Sequence, residues 1–498
     1  MNQKKIGVLL SYANIFASMA VNLLYTPVML HLLGQSEYGI YSLSSSVIGY
    51  LSLLYGGMTS TYLWFHSKYV KQGEQAISRL NGLFLTLFAG MGLIGLVIGV
   101  VIAVHADMII GGGLTNQEIN LARILLLIMA LNIAIQMPKT VFSTIIFSHE
   151  RFVFEKSLGV ITTFMSPCLT LPLLYLGYGS IGMSVIVLII TIIGLLAEIW
   201  YAFKRLHITF SFQRMPFHCI PAMASFSIFI LLQGIMDQFN WQLGKLLLAN
   251  LADSASIAVY AVGLQIALIV INLSVAFSGV VVPEIYQLVA DNKRDELNAL
   301  WQRIGRYQYF VMCFIYVAFF AFGQSFIRLW AGDGYDDAWY VAVLLMAPMA
   351  VHLCQLMAVE VLRARNCHGF WTIVHLLASI VGFLICIPLT QRYGVLGVAV
   401  GTCIQTFIIL NIFDNWYYKK AGLLDVKSFF SSFLNLIPSA IMVMGIAAII
   451  SAFISIKSWG SFVAVIGVFA LLYWLVIYFV AMNRQEKKQI NVLLRRFC

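Results

Sequence analysis

A few charged side chains stand where an otherwise apolar chain leaves little room for charge. Within "LLQGIMDQFNWQLGKLLL", residues 231–248, Asp237 and Lys245 lie eight residues apart in a stretch that reads as one helix. On a straight helix they are separated by about 12 Å and about 80° of rotation, too far to neutralise one another. Asp237 therefore needs a partner on another helix, a wet cavity or a proton. Its helix face is polar: Gln233, Asp237 and Asn240 recur at i, i+4 and i+7, beside a row of Gln238, Gln242 and Lys245. The first apolar segment carries a similar stripe of Ser11, Asn14, Ser18, Asn22 and Tyr25. Such faces either line a cavity or hydrogen-bond helices together. Three further cations fall inside apolar stretches: Arg123, Lys139 and Arg328. In a water-filled lumen Arg123, Lys139 and Lys245 would bind an anionic group. Near an outer end, Lys245 has the alternative of snorkelling to the interface, as have Arg123 and Arg328. Lys139 follows Pro138, whose kink would free carbonyls able to satisfy the ammonium.

Other titratable groups sit closer to segment ends. Glu360 and Arg363 read as gate or interface residues, and so do Glu198 and Asp414, each expected to pair with nearby basic loops. His352, one turn from Gln355, is a candidate for ion coupling, whereas His66 and His375 read as packed or interfacial histidines. Tyr41, Ser45, Ser52, Tyr55, Thr59 and Tyr62 share one segment and offer hydroxyls and aromatic faces to a polar ligand.

The elements that position these groups must be membrane helices. Of 498 residues, 61% are hydrophobic and 10% charged, and the mean hydropathy is +0.91. That balance belongs to an integral membrane protein. About 20 apolar residues cross a bilayer. The sequence predicts about fourteen such spans: 6–30, 40–65, 81–104, 119–147, 157–176, 183–203, 221–249, 257–283, 307–330, 339–362, 370–390, 395–415, 429–454 and 460–482. The first run is too long for a signal-peptide core and reads as an uncleaved span. Of the 30 Lys and Arg, 24 fall on the side shared by the N-terminus and only Arg392 and Lys457 on the other. Both termini are therefore expected in the cytoplasm, and the net charge of +10 needs no nucleic acid. The eight cysteines form no CxxC pair, so no disulfide framework is implied.

Two segments recur. "LPLLYLGYGSIGMSV" (171–185) and "IPLTQRYGVLGVAV" (387–400) share Pro followed by Tyr-Gly-x-[Ile/Leu]-Gly, with Tyr178 and Tyr393 215 residues apart. "LLGQSEYGIYSLSSS" parallels "LLANLADSASIAVYAVG", with Tyr41 and Tyr260 219 apart. Six spans per copy imply a parallel repeat around an axis along the membrane normal, enclosing a central cavity. The expected organisation is an N-terminal six-helix bundle (1–215), a C-terminal six-helix bundle (216–420) and an extra helix pair with a basic cytoplasmic tail (421–498).

"TPVMLHLLGQSEYGIYSLSSSVIGYLSLLYGG", "DQFNWQLGKLLLA", "VVPEIYQL", "AVEVLRARN" and "RYGVLGVAVGT" occur in an order and spacing that resemble the polysaccharide transporter family, the Wzx-type flippases of the MATE/MOP superfamily. The resemblance implies alternating-access movement of an undecaprenyl-diphosphate-linked oligosaccharide from the inner to the outer leaflet of a bacterial inner membrane. It also implies that the extra helix pair helps form a groove for the polyprenyl chain. O-antigen or another surface polymer would be the product, and a polysaccharide polymerase a possible partner, with membrane lipids around a functional monomer. No cofactor is expected beyond a coupling H+ or Na+, for which Asp237 is the leading residue. The alternative is a MATE-type drug antiporter, whose organic cations would favour an acidic lumen; the deep cations and extra spans argue against it. A membrane polymerase or ligase would need a large outer loop, and none is present. There is also no HExxH, P-loop or GxSxG arrangement, so an enzyme is not expected.

Overall fold

The computed structural model describes residues 3–55, 58–279, 281–422 and 424–488. Tyr55 and Thr59 fall outside the described side chains. Every regular element among the described residues is helical. In chain order the α-helices are α1 (Gln3–Gly49), α2 (Met58–Tyr69), α3 (Glu74–Val104), α4 (Ala106–Ile110), α5 (Asn116–Ser148), α6 (Phe152–Tyr175), α7 (Gly179–Lys204), α8 (Ile220–Trp241), α9 (Leu243–Leu251) and α10 (Ser254–Gly279). They continue as α11 (Val282–Ala290), α12 (Arg294–Ala331), α13 (Asp337–Met346), α14 (Met349–His352), α15 (Met357–Ala364), α16 (His368–Phe407), α17 (Asp414–Lys420), α18 (Val426–Leu434), α19 (Ile437–Phe453) and α20 (Trp459–Val476).

Nine helices among the described residues are long and apolar enough to cross a membrane, or up to eleven when each of two bent pairs is taken as one span. The chain is thus a multi-pass, all-α membrane protein, while the count of fourteen stays a sequence expectation. Two of the long helices are each two helices merged across a kink. The joints are Gly34 (φ 74°, ψ 172°) in α1 and Gly394 (φ 56°, ψ −132°) in α16. Only glycine tolerates those backbone angles without strain.

The described chain gathers into two compact units. The first comprises Met1–Ala261 with Phe383–Val398, and the second Val262–Gly382 with Ala399–Cys498. In the first unit α5 is central, packing against α3, α7 and α1. Helices in lipid gain no hydrophobic drive by associating and depend on close van der Waals fit, which small residues permit. Gly92 on α3 shows this: a Cβ there would lie 2.8 Å from the carbonyl oxygen of Ala134 on α5. The capping box at Thr115 and Glu118 satisfies the first turn of α5. Glu118 also accepts from Ser36 Oγ at 2.6 Å and Ser254 Oγ at 2.5 Å.

In the second unit α12, α19 and α20 share an apolar core that includes Phe310, Phe322, Val443, Phe469 and Tyr473. The Tyr473 hydroxyl donates to the Phe310 carbonyl at 2.6 Å, so the aromatic polar end is satisfied where it is buried. Arg306 on α12 donates from Nε and a terminal nitrogen to the two Glu486 oxygens, at 2.7 and 2.9 Å. This bidentate, buried pair anchors the segment after α20 to α12. The last helix pair is therefore integrated with the second unit rather than appended to it.

Candidate functional site

The span expected to be straight from 221 to 249 is broken. It ends as α8 at Trp241 and resumes as α9 at Leu243, with Gln242 at φ −112° between them. This corrects the straight-helix geometry drawn for Asp237 and Lys245. Asp237 is exposed on α8 and Asn240 is half-buried. Lys245 is 8% exposed, and its ammonium donates to Gln242 Oε1 at 3.2 Å. The same oxygen accepts from Ser46 Oγ at 2.8 Å. Lys245 thus turns inward instead of snorkelling, and the break at Gln242 places the amide that receives it.

Tyr41 lines a cavity of about 240 Å³ with Ser45, Gly49, Asn132 and Ser184. Its walls carry hydroxyls and an amide, and Asn132 Oδ1 has no hydrogen-bond partner among the described residues. The sequence reading missed Asn132, whose i−7 relation to Lys139 on the same helix was the available signal. Tyr62 is not brought to this cavity. It is 1% exposed and donates to Asn81 Oδ1 at 2.7 Å. Asn14 accepts from Thr163 Oγ1 at 3.2 Å, joining α1 to α6. Arg123 donates to the Ala103 carbonyl and the Asn120 side chain and lies 3.9 Å from Asp107. Arg328 donates to Asp336 at 2.6 Å in an exposed pair.

Lys139 is held deeper. Its ammonium lies 3.1 Å from Glu198 Oε1, with the two side chains 20% and 3% exposed. The carbonyls freed by Pro138 are not its partner, and Glu198 does not pair with a basic loop. The partner is a helix, α7, facing α5. Gly194, one turn before Glu198, makes room for the lysine stem: a Cβ there would meet Lys139 Cε at 2.8 Å.

The second unit holds a further buried carboxylate besides Glu486. Asp414 is 0% exposed, and its Oδ1 accepts from Trp371 Nε1 at 2.8 Å and lies 2.8 Å from His375 Nε2. Its Oδ2 lies 3.6 Å from His352 Nδ1. His352 therefore belongs with Asp414 and His375, while Gln355 donates to Asn415 at 2.9 Å instead. The expectation that Asp414 meets basic loops is replaced by a histidine–carboxylate cluster, and His375 is a member of it. Glu360 and Arg363 pair with each other at 2.6 Å across one helical turn. Among the described residues no three His, Cys, Asp or Glu side chains are arranged to hold a metal ion.

The comparisons with known proteins fall on the same fold. A family described as "Polysaccharide biosynthesis protein" matches residues 28–340, more than half of the chain. No curated relative matches the sequence. Among solved structures, "Lipid II flippase MurJ, inward closed conformation" aligns with a TM-score of 0.70 at 13% identity, over 95% of this chain and 97% of that one. A MATE structure in complex with MaD3S aligns with a TM-score of 0.55 at 14% identity, over 86% and 98%. An inward-facing multidrug resistance MATE transporter of the MOP superfamily gives 0.53 at 13%, over 84% and 94%. At these identities the likeness establishes the fold, which is that of flippases and transporters. The chain belongs to the polysaccharide biosynthesis protein family, folded as the lipid II flippase and the MATE transporters are.

Proposed function

We propose that the protein moves an undecaprenyl-diphosphate-linked oligosaccharide from the cytoplasmic to the outer leaflet of a bacterial inner membrane. The product would serve O-antigen or another surface polysaccharide. The observation that carries this reading is the likeness to a lipid flippase over 95% of the chain, set beside membership of a polysaccharide family. The MATE structures account for 84–86%, which favours the lipid carrier over the drug antiporter.

The chemistry of such a cargo divides into three parts. A polyprenyl chain needs an apolar groove, and one of about 340 Å³ lies among Tyr309, Met312, Tyr316, Phe430, Phe433 and Ile437. Its walls come from α12, the bent α18–α19 pair and the segment around α14, so the first helix of the extra pair lines it. The saccharide needs hydroxyl and amide partners, which the Tyr41–Asn132 cavity supplies. The diphosphate needs cations. Lys245 is buried with a neutral amide as its partner, so its charge is less spent than that of Lys139. Arg123 is a weaker candidate, because it already has two hydrogen-bond acceptors and a nearby carboxylate. Two six-helix halves rocking about the cargo would expose it to each side in turn, with both termini in the cytoplasm. Asp237, exposed on α8, would bind a coupling H+ or Na+, and Glu360, Arg363 and His352 are further candidates for a gate or coupling role.

The test is genetic. A clean deletion in a strain without a redundant flippase should lose surface polysaccharide and accumulate the lipid-linked unit. Normal surface polysaccharide in that strain would refute the reading.

A further inference from the structure

The cluster around Asp414 does not belong to the cavity, the apolar groove or the cation set. We infer that Asp414, His375 and His352 form a proton-binding site, in which a buried carboxylate and two imidazoles share one exchangeable proton.

The first support is geometric. A carboxylate with no solvent exposure is costly unless it is paired and hydrogen-bonded. Oδ1 is satisfied by the Trp371 indole and the His375 ring, each at 2.8 Å. Oδ2 and His352 Nδ1 face each other at 3.6 Å, and neither has a hydrogen-bond partner among the described residues. A proton on either atom would convert that contact into a charge-assisted hydrogen bond and draw the atoms together. The chemistry balances as a transfer of H+ alone: an N–H or O–H bond forms, nothing is oxidised, and the proton leaves to water.

The second support is the backbone. Asp414 directly follows a π-helical stretch, Ile408–Phe413, and His352 directly precedes a 3₁₀ turn, Leu353–Gln355. The pair Asp337–Met346 and Met349–Gln355 is also bent by 51°. Such irregularities mark places where a helix has an alternative hydrogen-bond register, and they concentrate at functional positions. The two irregular segments are tied together, since Asn411 donates to the Pro348 carbonyl at 2.7 Å and Gln355 donates to Asn415. Closing the Asp414–His352 gap would therefore pull on both.

The titratable groups facing Asp414 are few. They are His352 from α14, His375 from α16 and Tyr418, a buried phenol one turn further along α17. Among the described residues every ion pair to Asp414 comes from a histidine. Among the described residues no lysine or arginine pairs with the carboxylate to hold it in one protonation state. The link from this site to transport rests on the proposed function, whereas proton binding itself does not.

The experiment uses the full chain in liposomes, with protons as the only ligand. The Trp371 indole lies against the His375 ring, with centroids 3.8 Å apart, and an imidazolium in that position quenches tryptophan emission. The emission difference between wild type and Trp371→Phe should change between pH 5 and 9. In Asp414→Asn the change should move to lower pH by about one unit or more. Glu198→Gln should leave it in place. If Asp414→Asn does not give monodisperse protein, His375→Gln, which keeps a donor toward Oδ1, must abolish the change. A pH-independent difference in the wild type, or one retained in His375→Gln, would overturn the proposal.

Discussion

Glu198 and Asp414, two of the buried carboxylates, sit 216 residues apart, close to the spacing of the repeated tyrosines, and they are stabilised in different ways. Glu198 on α7 meets a lysine on α5 at 3.1 Å. Both helices are continuous α-helices there, and Gly194 leaves a groove for the lysine stem. Asp414 meets two histidines and an indole, and its backbone is π-helical on one side and faces a 3₁₀ turn on the other. Under the proposed repeat, Gln355 would correspond to Lys139, and His352 lies one turn before it. One half thus holds a lysine–carboxylate ion pair between helices that stay α-helical through it, Pro138 included. The other holds a titratable pair where the helices are irregular. A permanent cation needs no second register to do its work, whereas a group that gains and loses a proton has two states to accommodate.

The comparison can be broken most sharply at the fixed pair. Lys139→Glu places two carboxylates about where the ion pair was and leaves Glu198 without its cation. Losing one partner of a buried pair costs about 3–5 kcal/mol, so thermal unfolding of the purified variant should fall steeply and export should be abolished. The reciprocal double change, Lys139→Glu with Glu198→Lys, should recover part of the loss. Equal unfolding temperatures for wild type and Lys139→Glu would show that the pair contributes nothing. A smaller effect is expected from Gly194→Val, which crowds the lysine stem without touching either charge. Overpacking of this kind costs roughly 1–3 kcal/mol, readable as a lower melting temperature, with Gly194→Ala lowering it less than Gly194→Val. The smallest effect belongs to an exposed pair. Asp336→Ala removes the partner of Arg328, and a surface ion pair is worth about 0–1 kcal/mol, so the melting temperature should stay near that of the wild type.

Much of this was legible before any coordinates. Hydropathy and length dictate membrane helices, and the two repeated Tyr-Gly segments fall where the structure has positive-φ glycine joints. Gly394 is one such joint inside α16. The separation of Glu198 and Asp414, close to that of the repeated tyrosines, is visible in the sequence as well. Their partners were not, because hydropathy places a residue along a span but does not say which neighbouring helix its side chain faces. Lys139 was read against its own proline kink, and the true partner lay on another helix. The break at Gln242 is hidden because no proline marks it and the nearby Gly244 lies inside α9, not at the joint. The π and 3₁₀ stretches beside Asp414 and His352 were equally silent. They depend on how helices pack, not on the preferences of the residues inside them.

The central claim, movement of a lipid-linked oligosaccharide between leaflets, is tested most directly by leaflet accessibility. Right-side-out inner-membrane vesicles from the deletion strain and its complemented parent would be treated with a membrane-impermeant lectin against the saccharide. The account predicts that the lectin captures the lipid-linked unit in the complemented vesicles and that the unit stays protected when the gene is absent. Equal capture in both would contradict it.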